Sequence, residues 1–349
     1  MEKLVVFIAS PIAPELVERI RAVNPARVEV IFEPDLLPKM RFLSDHVGTP
    51  AVHTPEQHRR WRELLARADI LWDFPANDPD GSGGLAYAPK VKWIQGTSAG
   101  IGQKVKARGL QDSSVICTTA RGVHGGQSAE FVFLALLMHA KNIRHLETEQ
   151  RVHRWTDYCT DELADKTLAV VGAGHMGSRV AALGKAFQMH VIATARNHSA
   201  DRAAALGIDA FYPMSELNAM AGKADAFVVT LPHTPETERV IDGSVFAALK
   251  PGAVFVNIGR GKVVDERALI AALQSGRVGF AGLDVFDVEP LPSSSPLWDM
   301  PNVLVSPHSS SIVPALHARV TELFCHNLRC FLDGRFGDMR NVLDKQQLY

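Results

Sequence analysis

Arg260, Glu289 and His308 are a cation, a carboxylate and an imidazole, and each follows an apolar run. Arg260 ends Val256-Asn257-Ile258-Gly259-Arg260-Gly261. Glu289 follows Gly282-Leu283-Asp284-Val285-Phe286-Asp287-Val288, and His308 follows Val305-Ser306-Pro307. If these runs are neighbouring parallel strands, their carboxyl ends share one rim, where open α/β sheets bind ligands. Such a set suits hydride delivery to the carbonyl carbon of a 2-oxo acid. Arg260 binds the charged or carbonyl oxygens, and His308 hands a proton to the carbonyl oxygen. Glu289 orients the ring and keeps it protonated near neutral pH. Singly, Arg260 and Glu289 read as an interface ion pair, and His308 as a satisfied strand-end histidine. Together with a glycine loop upstream, the chemical reading prevails.

That loop is Gly172-Ala173-Gly174-His175-Met176-Gly177. It follows the apolar run 167–171 and precedes a helix-like stretch over 179–187. G-x-G-x-x-G between a strand and a helix is the dinucleotide fingerprint. Gly172 allows the tight turn, Gly174 lets the backbone approach a pyrophosphate, and Gly177 lets the helix pack closely on the strand. The helix N-terminus offers N–H groups and a positive dipole end to the phosphates. The next strand, 190–195, runs into Arg196-Asn197-His198-Ser199 with no carboxylate to accept a ribose 2′-OH. A guanidinium binds a 2′-phosphate well. Arg196, with Asn197 and Ser199 as extra donors, therefore predicts a preference for NADP(H). NAD is the alternative, with Arg196 a solvated charge.

These residues need strands to position them. Apolar runs at 4–9, 28–32, 69–74, 91–96 and 115–120 alternate with longer stretches, including a helix-like one over 14–23. This is the pattern of βαβ units and a parallel sheet. Residues 33–53, with three prolines, read as a long irregular connection, and 75–89 as a loop. Residues 127–138 are apolar on nearly every side, which predicts a buried helix between domains or subunits. Six strand candidates follow, at 167–171, 190–195, 226–230, 254–258, 280–285 and 303–306. Six parallel strands make a full doubly wound sheet. Val320, Leu323, Phe324, Leu328 and Phe331 recur at helical spacing, and that helix is expected to cross back onto the first domain. The expected fold is α/β: a Rossmann-type, doubly wound cofactor domain over 120–311, and a discontinuous, flavodoxin-like substrate domain over 1–119 and 312–349.

Bulk properties exclude several classes. At 349 residues the chain is long enough for two domains. Its 37 Lys and Arg nearly match its 38 Asp and Glu, against a general nucleic-acid binder. Cys117, Cys159, Cys325 and Cys330 form no CxxC pair, so no metal site or disulfide framework is expected. The run 4–9 reads as a strand rather than a signal peptide, and no run approaches a membrane span. A cytoplasmic protein is expected.

The chain resembles the D-isomer-specific 2-hydroxyacid dehydrogenase family over nearly all its length. Gly172 to Gly177 carry the resemblance, with Asn257-Ile258-Gly259-Arg260-Gly261-Lys262-Val263-Val264-Asp265-Glu266, Leu283-Asp284-Val285, Glu289-Pro290 and Pro307-His308. Trp93-Ile94-Gln95-Gly96-Thr97-Ser98-Ala99-Gly100 looks like the family's substrate-carboxylate loop, which implies Ser98, Ala99 and Gly100 as backbone donors. The resemblance implies Arg260 as substrate anchor, His308 as acid/base, Glu289 as its partner and Asp284 near the nicotinamide ring. Further expected cofactor contacts are His175, Met176, Leu231, Pro232, Thr237, Ile258 and Gly259. An active site between two domains and a homodimer built on the cofactor domain are also implied. The expected activity is a 2-oxoacid reductase of the glyoxylate or hydroxypyruvate type. Ser309-Ser310-Ser311 after the histidine and the segment 33–53 depart from the common pattern and put the substrate side in question. Two other functions remain on this fold. A formate dehydrogenase would pair the histidine with Gln, against Glu289. An NAD(H)-sensing corepressor keeps the same residues but needs a partner-binding extension that the short tail after Leu332 does not resemble.

Overall fold

Two parallel sheets organise the chain in a computed structural model that describes residues 3–78, 81–195 and 199–348. Each sheet anchors one compact unit: residues 1–124 with 312–349, and residues 125–311. The first crossing falls after His124, not after residue 119. Residues 120–123 are tied into the first unit: Ala120 N–H donates to Ser98 O at 3.0 Å, and Asn341 Nδ2 donates to Arg121 O at 2.7 Å.

The first unit holds β1 (Leu4–Ile8), β2 (Val28–Ile31), β3 (Ile70–Trp72), β4 (Trp93–Gln95) and β5 (Ile116–Thr118), in the order β2-β1-β3-β4-β5. All pairs are parallel. Val6, Phe7, Ile8, Ile70, Leu71, Trp72, Trp93 and Ile94 are buried, which is why both-face-covered strands read as continuous apolar runs. The helix Leu316–Leu332 completes this core: Phe324 stacks on Trp93 with ring centroids 4.9 Å apart and meets Trp72 edge-on at 5.5 Å. Its buried Asn327 donates to Arg340 O at 3.0 Å and accepts from Arg340 N at 2.8 Å, locking the return of the chain. Residues 33–53 are irregular, with one short 3-10 turn at Pro34–Leu36. Buried Asp45 organises them, accepting the N–H groups of Arg41, Val47 and Gly48 and the Arg41 guanidinium.

The second unit holds β6 (Thr167–Val171), β7 (His190–Thr194), β8 (Ala210–Tyr212), β9 (Ala226–Val229), β10 (Ala253–Asn257), β11 (Val278–Leu283) and β12 (Val303–Val305). Their order is β12-β11-β10-β9-β6-β7-β8, the dinucleotide-fold order with one extra strand. β8 is the strand the sequence does not announce. It is three half-buried residues at the sheet edge, too short for an apolar run. The helix Gly125–Ala140 buries Ala129, Val132, Phe133, Ala135 and Leu136 within this unit, but Leu134 is half exposed, so its burial is one-sided. Among the described residues, no helix is long and apolar enough to cross a membrane.

Candidate active site

The glycine loop sits at the point where strand order reverses, between β6 and β9. Gly172 has φ +101°, which L side chains rarely adopt. Its N–H donates to Thr194 Oγ1 at 3.0 Å and its carbonyl accepts Thr230 Oγ1 at 2.6 Å, so the ends of β7 and β9 clamp the turn. A Cβ on Gly177 would fall on the Gly172 carbonyl, which is why the helix His175–Ala186 lies so close to β6. A Cβ on Gly174 would meet no described atom within 4 Å. Gly174 is also the N-cap and has no side chain to satisfy the first turn. His175 and Met176 open the first turn of that helix, the end at which a pyrophosphate binds.

The expected cofactor residues that follow converge on this loop. The Leu231 backbone is the surface a Cβ on Gly259 would strike, and its side chain lies beside Gly172. Pro232 and Thr237 form one turn: Thr237 Oγ1 donates to Pro232 O at 2.7 Å and accepts Thr234 N at 2.8 Å. Ile258 is buried, and its N–H pairs with Val229 O at 3.1 Å. β6, β9 and β10 thus end in one contiguous rim.

The residues expected to do acid–base chemistry lie on the same unit. Asn257 holds the turn after β10, accepting Gly259 N at 3.0 Å and donating to Arg260 O at 3.2 Å. Burial pushes the Arg260 guanidinium down, and the charges of Glu289 and Asp284 pull it back. A guanidinium stays protonated regardless. His308 Nδ1 and Glu289 Oε2 are 2.7 Å apart, and Glu289 Oε1 accepts Phe286 N at 3.0 Å. Burial raises the Glu289 carboxyl, but the His308 and Phe286 hydrogen bonds and the Arg260 charge outweigh it and hold it below its usual range. The carboxylate is thus ionised, and Nδ1 is the ring nitrogen that donates to it. Nε2 is left to exchange a proton with a ligand.

Asp284 does more than its position in the sequence announces. It is 3% exposed, and Oδ1 accepts Ser306 Oγ at 2.6 Å and the N–H groups of Ser309 and Ser310 at 2.9 Å each. Ser310 Oγ donates to Oδ2 at 2.6 Å. These bonds bracket His308, whose φ is +53°. Ser309 and Ser310, two of the three serines that depart from the family pattern, are with Ser306 the groups through which Asp284 holds the histidine loop.

The other expected residues fall elsewhere. Arg196 and Asn197 lie outside the described residues, while Ser199 caps the helix Ala200–Leu206. Arg202, on that helix, was not anticipated. Its Nη2 donates to Ala173 O at 2.6 Å, inside the glycine loop. Its only sequence signal is a place one turn past a serine cap. Ser98, Ala99 and Gly100 lie in the first unit after β4, in a bend where none of their N–H groups bonds a described residue. Trp298 is 50% exposed, its Nε1 bonded to Pro292 O at 3.0 Å, and Trp155 is 93% exposed. Cys117, Cys325 and Cys330 are buried free thiols and Cys159 is exposed.

Comparison with known proteins agrees with this geometry. The family profile described as "D-isomer specific 2-hydroxyacid dehydrogenase, NAD binding domain" matches residues 133–310. A D-3-phosphoglycerate dehydrogenase of Mycobacterium leprae (strain TN) is 36% identical over 307 residues, 84% of this chain and 54% of the relative. The chain therefore spans little more than half the length of that relative. A glyoxylate/hydroxypyruvate reductase B of Citrobacter koseri is 32% identical over 309 residues, 86% of this chain and 92% of the relative. Among solved structures, an NADPH-dependent glyoxylate/hydroxypyruvate reductase from Sinorhizobium meliloti, in complex with NADP and sulfate, matches with a TM-score of 0.76. The match has 28% identity and covers 99% of this chain and 100% of that one. The glycine loop at the strand-order reversal, the His308–Glu289 pair on the same rim and these likenesses agree, and the chain belongs to the D-isomer specific 2-hydroxyacid dehydrogenase family.

Proposed function

We propose that the protein is an NADP(H)-preferring reductase that interconverts small 2-oxo and 2-hydroxy acids. The observation that carries the reading is the 2.7 Å His308–Glu289 pair beside Arg260, on the same unit as the glycine loop. When bound, the nicotinamide cofactor supplies the hydride. Arg260 holds the negative oxygens of the substrate by charge-assisted hydrogen bonds. His308 gives a proton from Nε2 to the carbonyl oxygen as it becomes a hydroxyl, and takes one back in the reverse direction. Glu289 fixes the ring through Nδ1 and stabilises the imidazolium. Ser98, Ala99 and Gly100 bind the substrate carboxylate through backbone N–H groups. Gly172, Gly174, His175, Met176 and Gly177 hold the pyrophosphate, and Arg196, with Arg202 nearby in sequence, selects the 2′-phosphate. The reductase from Sinorhizobium meliloti was solved with NADP, which supports this choice.

We also propose a cytoplasmic homodimer formed through the second unit, where Leu134, Phe187, Val152 and Trp155 are exposed apolar side chains. Light scattering that returns a monomer mass at micromolar concentration rejects the dimer.

Steady-state assays with NADPH and NADH against glyoxylate, hydroxypyruvate, pyruvate and phenylpyruvate test the activity. Absence of turnover with every 2-oxo acid refutes it. His308→Ala is expected to lower kcat about 10²- to 10⁴-fold, the usual contribution of general acid catalysis. Arg196→Ala should raise KM for NADPH selectively, and equal loss for both cofactors refutes its assigned role.

A further inference from the structure

The first unit carries polar groups that the proposed acid–base chemistry does not use. Its sheet order puts the topological switch between β1 and β3, where open α/β sheets form a crevice at the strand carboxyl ends. Ser10 follows β1, Asp73 and Phe74 follow β3, and Thr97 with residues 98–100 follows β4. Ser10 Oγ, His46 Nδ1, Arg108 Nη1 and His317 Nε2 are buried atoms with no hydrogen-bond partner among the described residues. Buried polar atoms are nearly always paired, and those that are not call for a physical reason.

These groups come from distant parts of the chain. His46 lies in the irregular segment 33–53, His317 on the returning helix, and Lys104 and Arg108 on the helix Gly102–Ala107 and its C-cap. Ser44 Oγ joins two of them, donating to Pro314 O at 2.9 Å and accepting His317 N at 3.4 Å. His317 is 3% exposed. Beyond the burial that lowers all three, His46 feels the charges of Asp73, Lys104 and Asp45, His317 those of His46, Asp45 and Asp73, and Arg108 that of Asp73. Lys104 Nζ and the Arg108 guanidinium lie over the Phe74 ring at 6.0 and 5.4 Å.

The neighbouring carboxylates are already engaged. Asp45 is bound by Arg41 and three backbone N–H groups. Asp73, 5% exposed, accepts Thr97 Oγ1 at 2.6 Å and Phe74 N at 2.8 Å. Neither forms an ion pair with Lys104 or Arg108 among the described residues. Burial pushes both imidazoles down, His317 to about 4, so at neutral pH they are uncharged and each carries one N–H, that of His46 shared with the Ser44 backbone. Two cations, two imidazoles and a hydroxyl are left without an anion.

We infer that this crevice binds a second anionic group, a carboxylate or a phosphate at the far end of a 2-oxo acid. Lys104 and Arg108 are its charge partners, and His46 and His317 its N–H donors. Thr97 joins Asp73 to the start of the 98–100 loop, so the two anion sites adjoin within one unit. The inference rests on the reductase reading and narrows its substrate class.

The test compares kcat/KM for pyruvate with that for oxaloacetate, which adds a carboxylate, and 3-phosphohydroxypyruvate, which adds a phosphate. At least one dianionic acid is expected to exceed pyruvate about tenfold or more, and which one distinguishes carboxylate from phosphate. Arg108→Met and Lys104→Met should each lower that ratio about tenfold, the loss of one charge-assisted hydrogen bond. Lys104 is exposed, so its variant keeps the fold. His317→Leu should lower the ratio while raising Tm, because it removes an unpaired buried nitrogen. If pyruvate is reduced but no dianionic acid is favoured, or all three variants keep the wild-type ratio, the inference fails and the reductase reading stands. If no 2-oxo acid is reduced, that reading fails. Calorimetric titration with malonate and with inorganic phosphate then decides: binding lost in Arg108→Met sustains the crevice, and no binding overturns it.

Discussion

Replacing Asp284 by Asn and by Ala separates the charge of this side chain from its shape. Asp284 accepts four hydrogen bonds, two from the amides of Ser309 and Ser310 and two from the hydroxyls of Ser306 and Ser310. In Asp284→Asn, Oδ1 keeps its three donors, and Ser310 Oγ turns to accept from the new amide. What is lost is charge assistance, about 1 kcal/mol per bond before the relief of burying a charge is subtracted. If half survives that offset, the net loss is about 2 kcal/mol. A unit of this size then loses about 4–8 °C in Tm. Asp284→Ala leaves two buried amides without an acceptor, and its cost should be about 4 kcal/mol or more.

The activity should fall further than stability accounts for. His308 holds a φ of +53° directly before the two captured amides. Relaxation of that loop takes the ring off Glu289, and a small misplacement costs about 10²-fold in rate. The Asn variant is therefore expected to lose kcat about tenfold and the Ala variant about 10²-fold or more, with smaller changes in KM. Calorimetric melting and steady-state kinetics on the same preparations measure both effects. An Ala variant that melts within a degree of wild type, or keeps kcat, refutes the view that Asp284 holds the histidine loop.

Four further outcomes are expected. Gly174→Ala should leave Tm within about 2 °C, since its Cβ meets no described atom, yet weaken cofactor binding at least tenfold by fluorescence titration. Gly177→Ala should cost about 3 kcal/mol in chemical denaturation, because its Cβ collides with the Gly172 carbonyl; equal effects of the two substitutions contradict the packing argument. His317, held at about 4 by burial, binds its proton less readily folded than unfolded. The unfolded chain takes up that proton first as pH falls, so stability drops between about 6.5 and 4 by about 3 kcal/mol, and then levels. His317→Leu should remove this drop, and urea midpoints across that range measure it; an unchanged slope rejects burial as the cause. Glu289→Gln should lower kcat at least tenfold while changing stability by less than about 1 kcal/mol, because the pair is partly exposed. A large stability loss makes the pair structural instead.

What was legible in the sequence was whatever a short stretch of chain can encode. The strands on the rim are buried on both faces, so each reads as an apolar run. The glycine loop is legible because three constraints on bare backbone fall within six residues. Arg260, Glu289 and His308 are legible because each lies at or just past a strand end, and parallel topology brings strand ends together. β8 is not, since three half-buried residues at an edge need no apolar run. Nor is the work of Asp284, whose partners lie 22 to 26 residues on and are ordinary serines. The orphaned nitrogens are least legible: residues 46, 108 and 317 share no spacing, and only the return of the last helix to the first sheet assembles them. The residues proposed for hydride and proton transfer are therefore written locally, at strand ends. The anion crevice inferred in the first unit is built from side chains that meet only after both crossings of the chain. A single substitution such as Arg108→Met can accordingly change which acid is preferred while every motif remains intact.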